Sequence, residues 1–171
     1  MYDKRKPAQF KFEQKPHVLI VQSAFCPPVA EQLHRGAVVA LERAGATLET
    51  VDVPGVLEMA AAVVYAVKSL DFDAVRRRFD GFLALGCALK GETDYHHIIG
   101  QESIRALQDV GLQYSLALGI GVLTCDTLEQ AMKRAAPDDV DYGGRTADAC
   151  LTMIELKHKF RLTAKRRWVG K

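Results

Sequence analysis

The sequence predicts a three-layer α/β/α sandwich built on a four-stranded parallel sheet. Short apolar runs alternate with helical patterns along the 171 residues. Most of those runs are apolar throughout rather than alternating, as strands covered on both faces are. No internal repeat and no linker divides the chain, and its length suits one domain with a full hydrophobic core.

The elements follow in order. HVLIVQS (17–23) is β-branched and apolar, so a buried strand. From Val29 to Arg43 apolar residues recur at helical spacing, and Gly45 supplies a stop. TLETVDV (47–53) alternates as a second strand, and Pro54-Gly55 marks a turn. Leu57 to Leu70 is Ala-rich and helical, and FDAVRRRF extends or follows it. GFLALGC (81–87) is a third strand. Thr93 to Leu112 reads as a long helix ending at or near Gly111. SLALGIGVL (115–123) is the fourth strand. Thr127 to Ala135 is a helix, with Thr127 and Gln130 spaced as a capping box. After the irregular APDDVDYGG, a last helix runs from about Arg145 to Phe160.

Composition narrows the class. Hydrophobic residues at 49% and charged residues at 26% exclude wholesale disorder and low complexity. No apolar run reaches the ~18–20 residues of a bilayer span. The N-terminal residues lack the apolar core of a secretory signal. Cys26, Cys87, Cys125 and Cys150 are scattered, with no CxxC pair and no His at zinc spacing, so they read as reduced cytoplasmic thiols. Charge is uneven. Residues 157–171 hold seven Lys/Arg and no acid, and residues 1–16 hold five basic and two acidic residues. The middle, with 11 basic and 19 acidic residues, carries a net of −8. The chain thus divides into a basic arm (1–16), one domain (17–160) and a basic tail (161–171). Such ends suit solvation, or contact with acidic surfaces. Trp168 is the only aromatic among the last ten residues, too little for stacking on single strands, so no nucleic acid is expected.

Open parallel sheets bind ligands beyond the carboxyl ends of their strands. Four segments fall there. In the first, Phe25 suits either a core contact or stacking on a flat heterocycle. In the second, Glu58 follows the Pro54-Gly55 turn, where it either complements a helix dipole or accepts sugar hydroxyls. The third, LGCALKGET (85–93), runs from a strand through a Gly-containing loop into a helix N-terminus, which suits an anion. It is neither a Walker loop nor GxGxxG. Tyr95, His96 and His97 follow on the first turn, and an imidazole there either shuttles protons or sits on the surface. The fourth is 120–124.

VPGVLEMAAA, LGCALKGETDYHHII with ESIRAL, and GVLTCDTLEQAMKRA occur in this order. Together they resemble lumazine synthase, the enzyme of the penultimate step of riboflavin biosynthesis, over roughly residues 16–160. The resemblance implies the flavodoxin-like form of the sandwich. It implies condensation of 5-amino-6-(D-ribitylamino)uracil with 3,4-dihydroxy-2-butanone 4-phosphate, giving 6,7-dimethyl-8-ribityllumazine, phosphate and water. No metal or organic cofactor takes part, and no membrane is involved. By the same resemblance Phe25 stacks on the pyrimidine, and Val56, Leu57 and Glu58 hold the ribityl chain. Cys87, Ala88 and Leu89 line the pyrimidine site. Glu92, through its backbone N–H, and Thr93 form the phosphate loop. Arg134 reaches a phosphate from a neighbouring subunit, and Arg145 stands where the family usually has a lysine.

Besides Arg145, three places depart from the pattern, one being Cys26-Pro27-Pro28, which replaces a more typical Asn-containing segment. The family's histidine, two residues after the Thr of G-x-T, is Tyr95 here, and a phenol is a poor neutral-pH base. His96 is therefore expected to carry most of the proton transfer, at a reduced rate. Ile120 replaces a Phe that often packs on the pyrimidine from the fourth strand. The alternative is a flavin- or lumazine-binding relative with little catalysis. Family members are pentamers with active sites shared between subunits, and some build decamers or 60-subunit shells. Pro137, Asp138, Asp139 and Asp141 make the connection between the last two helices look too long and too acidic for a shell, so a pentamer or decamer is expected.

Overall fold

The computed structural model describes residues 7–69 and 79–162. Residues 72–78 of FDAVRRRF, the first six residues and most of the basic tail, with Trp168, lie outside the described residues.

Four strands form one parallel sheet in the order β2-β1-β3-β4. They are β1 (His17–Ser23), β2 (Thr47–Val53), β3 (Gly81–Leu89) and β4 (Leu118–Cys125). Five α-helices stand among the described residues: α1 (Pro27–Arg43), α2 (Met59–Lys68), α3 (Tyr95–Gln113), α4 (Leu128–Ala135) and α5 (Tyr142–Lys159). The sandwich expected from the alternation of runs is the observed architecture.

Alternate strand residues feed two cores. Val18, Ile20, Leu83 and Leu85 pack with Leu33 of α1, Ala131 of α4 and Leu151 of α5. Leu19, Val21, Phe82 and Ala84 pack with Met59 and Val63 of α2 and Leu107 of α3. That double cover explains why β3 is apolar throughout: eight of its nine residues are buried. Strand β2 alternates because it is the outer edge, with Val51 41% exposed.

Some boundaries differ from the sequence reading, each for a physical reason. Helix α3 runs past Gly111, because the reversal comes at Ser115, whose φ is +49°, and the Leu116 N–H closes on the Gly111 carbonyl at 2.8 Å. Strand β4 therefore starts at Leu118. A 3₁₀ turn, Val56–Glu58, separates the Pro-Gly turn from α2. Thr127 caps α4 by accepting the Gln130 N–H at 3.2 Å, whereas the Gln130 side chain accepts from Asp126 N–H at 3.3 Å, one residue earlier than a capping box requires.

Helix α5 begins three residues before Arg145. Asp141, at φ +52°, accepts the Gly144 N–H at 3.0 Å and so caps it. Burial pushes the Asp141 carboxyl above its usual range, and that hydrogen bond opposes the shift. Gly143 then lies directly on α1, where a Cβ would overlap the Leu33 carbonyl oxygen. The α4–α5 connection shrinks to residues 136–141, held by Asp139 N–H and Asp141 N–H, both donated to the Ala136 carbonyl. It is shorter than its Pro and Asp content suggests.

Part of the N-terminal arm is docked. Phe10 and Phe12 stack at 5.8 Å, and Phe12 meets His158 of α5 edge-on. No helix among the described residues is long and apolar enough to cross a membrane.

Candidate active site

From β1 the chain steps one way to β2 and then back across to β3. The segments leaving β1 and β3 diverge, which leaves a crevice at their carboxyl ends. A cleft of about 260 Å³ opens there. Three of the four strand ends contribute to it. Phe25 comes from the loop after β1, Gly55 to Glu58 from the turn after β2, and Cys87 to Leu89 from the end of β3. Gly91, Thr93, Tyr95, His96 and Ile99 come from the loop into α3 and its first turns.

Phe25 is 70% exposed, so it is not a core residue. Its backbone N–H donates to the Ser23 hydroxyl at 3.4 Å. Glu58 occupies the N-cap position of α2 but makes no cap hydrogen bond, which leaves its carboxylate available to the cleft. Burial pushes the Cys87 thiol up to about 12, with Cys125 and Cys26 adding to the shift. It stays a neutral wall of the cleft and not a nucleophile. The Thr93 hydroxyl accepts the Tyr95 N–H at 3.3 Å, a local turn that starts α3 beside the cleft.

Tyr95 and His96 differ sharply. Tyr95 is 56% exposed, whereas His96 is 3% exposed yet still lines the cleft. Neither ring nitrogen of His96 has a hydrogen-bond partner among the described residues. Asp126, just past β4, comes within 3.7 Å of His96 Nε2.

Four sequence candidates stand outside this chain's cleft. Glu92 is exposed on the loop before α3. Ile120, half-buried on the edge strand β4, packs with the α2–α3 core. Arg134 lies in the last turn of α4, where its Nη1 donates to the Gln130 carbonyl at 3.2 Å. Burial raises the Cys125 thiol, and the Arg134 charge pulls it back, so the guanidinium lies near the carboxyl end of β4. Arg145 Nε donates to the Val140 carbonyl at 2.7 Å and ties down the α4–α5 connection. Conversely, the sequence reading placed Gly55 and Gly91 in strand-end segments without a role of their own and passed over Ile99. Ile99 lies three residues after His96, and helical spacing alone places both on one face.

A model of the family described as 6,7-dimethyl-8-ribityllumazine synthase matches residues 15–158. The chain belongs to this family. The synthase of Agrobacterium fabrum is 47% identical over 145 residues, 85% of this chain and 97% of that protein. That of Bartonella tribocorum is 42% identical over 150 residues, 88% and 95% of the two chains. Synthase 1 of Rhizobium meliloti is 46% identical over 143 residues, 84% and 92%. The matched region of this lumazine synthase family member includes the whole sheet and every residue that lines the cleft.

Proposed function

We propose that this chain condenses 5-amino-6-(D-ribitylamino)uracil with 3,4-dihydroxy-2-butanone 4-phosphate to form 6,7-dimethyl-8-ribityllumazine. The observation that carries the reading is one cleft, at the crossover point of the sheet, which holds an exposed aromatic, an uncapped carboxylate and a buried imidazole. Phe25 stacks on the pyrimidine. Glu58 accepts hydroxyls of the ribityl chain, while Val56 and Leu57 shape that end. Cys87, Ala88 and Leu89 form the neutral wall against the ring. Thr93 and the Glu92 N–H receive the phosphate at the start of α3, where the helix dipole favours an anion. The amine attacks the ketone to give an imine, phosphate leaves, and the ring closes. Bringing the two substrates together supplies much of the rate. Relatives that match over most of their own length carry the synthase name, which favours catalysis over binding alone.

His96 moves the protons. It replaces the family's histidine, whose position Tyr95 occupies. His96→Ala lowers kcat about tenfold or more, less than the usual general acid–base effect of ~10²–10⁴ because the base only assists. Tyr95→Phe leaves kcat nearly unchanged. A damaging Tyr95→Phe with a silent His96→Ala contradicts the assignment.

The enzyme works as an assembly, in which Arg134, outside its own chain's cleft, reaches the phosphate in a neighbour's. Exposed Tyr65, Ile98 and Leu112 supply apolar surface for such contacts. Asp141 turns inward as a cap, which leaves Asp138 and Asp139 exposed on the α4–α5 connection. Like charges gathered there at a symmetry axis repel. Light scattering gives a mass of five or ten chains, and a megadalton particle contradicts this. Four free cysteines agree with a cytoplasmic location.

A further inference from the structure

We infer that His96, His97 and Asp126 form a binding site for a divalent transition metal of the Zn²⁺ type at the edge of the cleft. One ligand atom from each of the three lies within 4.8 Å of the other two. The residues come from two elements, the first turn of α3 and the segment just past β4, so the fold and not local sequence brings them together.

Three features point to an ion and not to a hydrogen-bonded network. The His96 Nε2–Asp126 Oδ1 separation of 3.7 Å is too long for a hydrogen bond. With bonds of ~2.1 Å it spans a shared metal at an angle of ~120°. Next, His96 is only 3% exposed, yet neither ring nitrogen has a partner among the described residues. A buried nitrogen without a partner is costly, and a coordinate bond removes that cost. Finally, the His96 and His97 rings stand 4.0 Å apart, tilted by 38°, without a hydrogen bond between them. His97 and Asp126 are exposed, so rotation of their side chains closes the remaining distance at little cost. Two imidazoles and one carboxylate leave a fourth position for water, a donor set that suits Zn²⁺.

The ion occupies His96 at the cleft wall. Zn²⁺ therefore inhibits the condensation, a consequence that rests on the proton-transfer role proposed above, whereas binding itself does not.

The test is titration of the tag-free full-length protein with Co²⁺, followed by its visible absorbance, and equilibrium dialysis against Zn²⁺, both without substrates. One ion binds per chain, and the Co²⁺ spectrum lacks a thiolate charge-transfer band. His97→Gln and Asp126→Asn each weaken binding at least tenfold. Both variants keep metal-free kcat within twofold and lose the inhibition by Zn²⁺. Absence of saturable binding, unchanged affinity in both variants, or a thiolate band overturns the site. Stoichiometric binding by a protein without synthase activity leaves the site standing and removes the catalytic reading.

Discussion

Arg134→Ala raises the KM for the phosphate-bearing butanone by one to two powers of ten and leaves the KM for the pyrimidine within about twofold. A charge-assisted hydrogen bond to a phosphate contributes roughly 1.5–3 kcal/mol, and each 1.4 kcal/mol is tenfold in affinity. Only one of the Arg134 donors is committed in the observed contacts, by Nη1 to the carbonyl of Gln130. Among the described residues the rest of the planar fork has no hydrogen-bond partner, so it can meet two phosphate oxygens together. Arg134→Lys recovers part of the loss, because a single ammonium keeps the charge but not the paired geometry. Steady-state kinetics with each substrate varied in turn checks this. Equal losses for both substrates mean that Arg134 serves the structure and not the phosphate.

Gly143→Ala destabilises the protein by about 3 kcal/mol, the upper end of ordinary overpacking. The added Cβ overlaps the Leu33 carbonyl, and its partner there is helix backbone, which does not rotate aside. Relief requires α5 to move off α1, and with it Ala147 and Leu151 lift from the core. For a domain of this size the loss lowers Tm by roughly 6–12 °C. Gly91→Ala is the control, since a Cβ there meets nothing within 4 Å. Thermal unfolding is compared at one protein concentration, because association of subunits raises apparent stability. A Gly143→Ala protein as stable as Gly91→Ala removes the close helix contact from the account.

The layers and the parallel sheet were legible because burial on both faces writes itself into composition, whereas the strand order came only with the structure. Strand β3 has no polar residue between Gly81 and Leu89, and β1 has only Gln22 before its terminal Ser23 and after His17. The edge strand β2 was legible for the opposite reason, its alternation. Helix starts were harder. Asp141 caps α5 from a left-handed conformation, and Gly143 and Gly144 read as loop residues although they are helical because α1 passes so close. That closeness is a long-range contact, which periodicity does not carry.

The candidate site divides along the same line. Residues consecutive on one segment, such as Val56–Glu58 and Cys87–Leu89, were found together and stand together in the cleft. Phe25 needed the structure to rule out a core position, and its 70% exposure does so. Asp126 escaped notice because nothing in the sequence between residues 97 and 126 signals that β4 returns it to the first turn of α3. Arg134 pointed to a shared site only through the family pattern, and neither it nor Ile120 lines the cleft of its own chain.

The most direct measurement is the steady-state rate of the purified full-length protein with both substrates, following lumazine absorbance and phosphate release together. The account predicts one phosphate released per lumazine formed, saturation in each substrate, and a rate above the spontaneous condensation that falls about tenfold in His96→Ala. A protein that binds the pyrimidine but leaves the rate at the spontaneous level contradicts it.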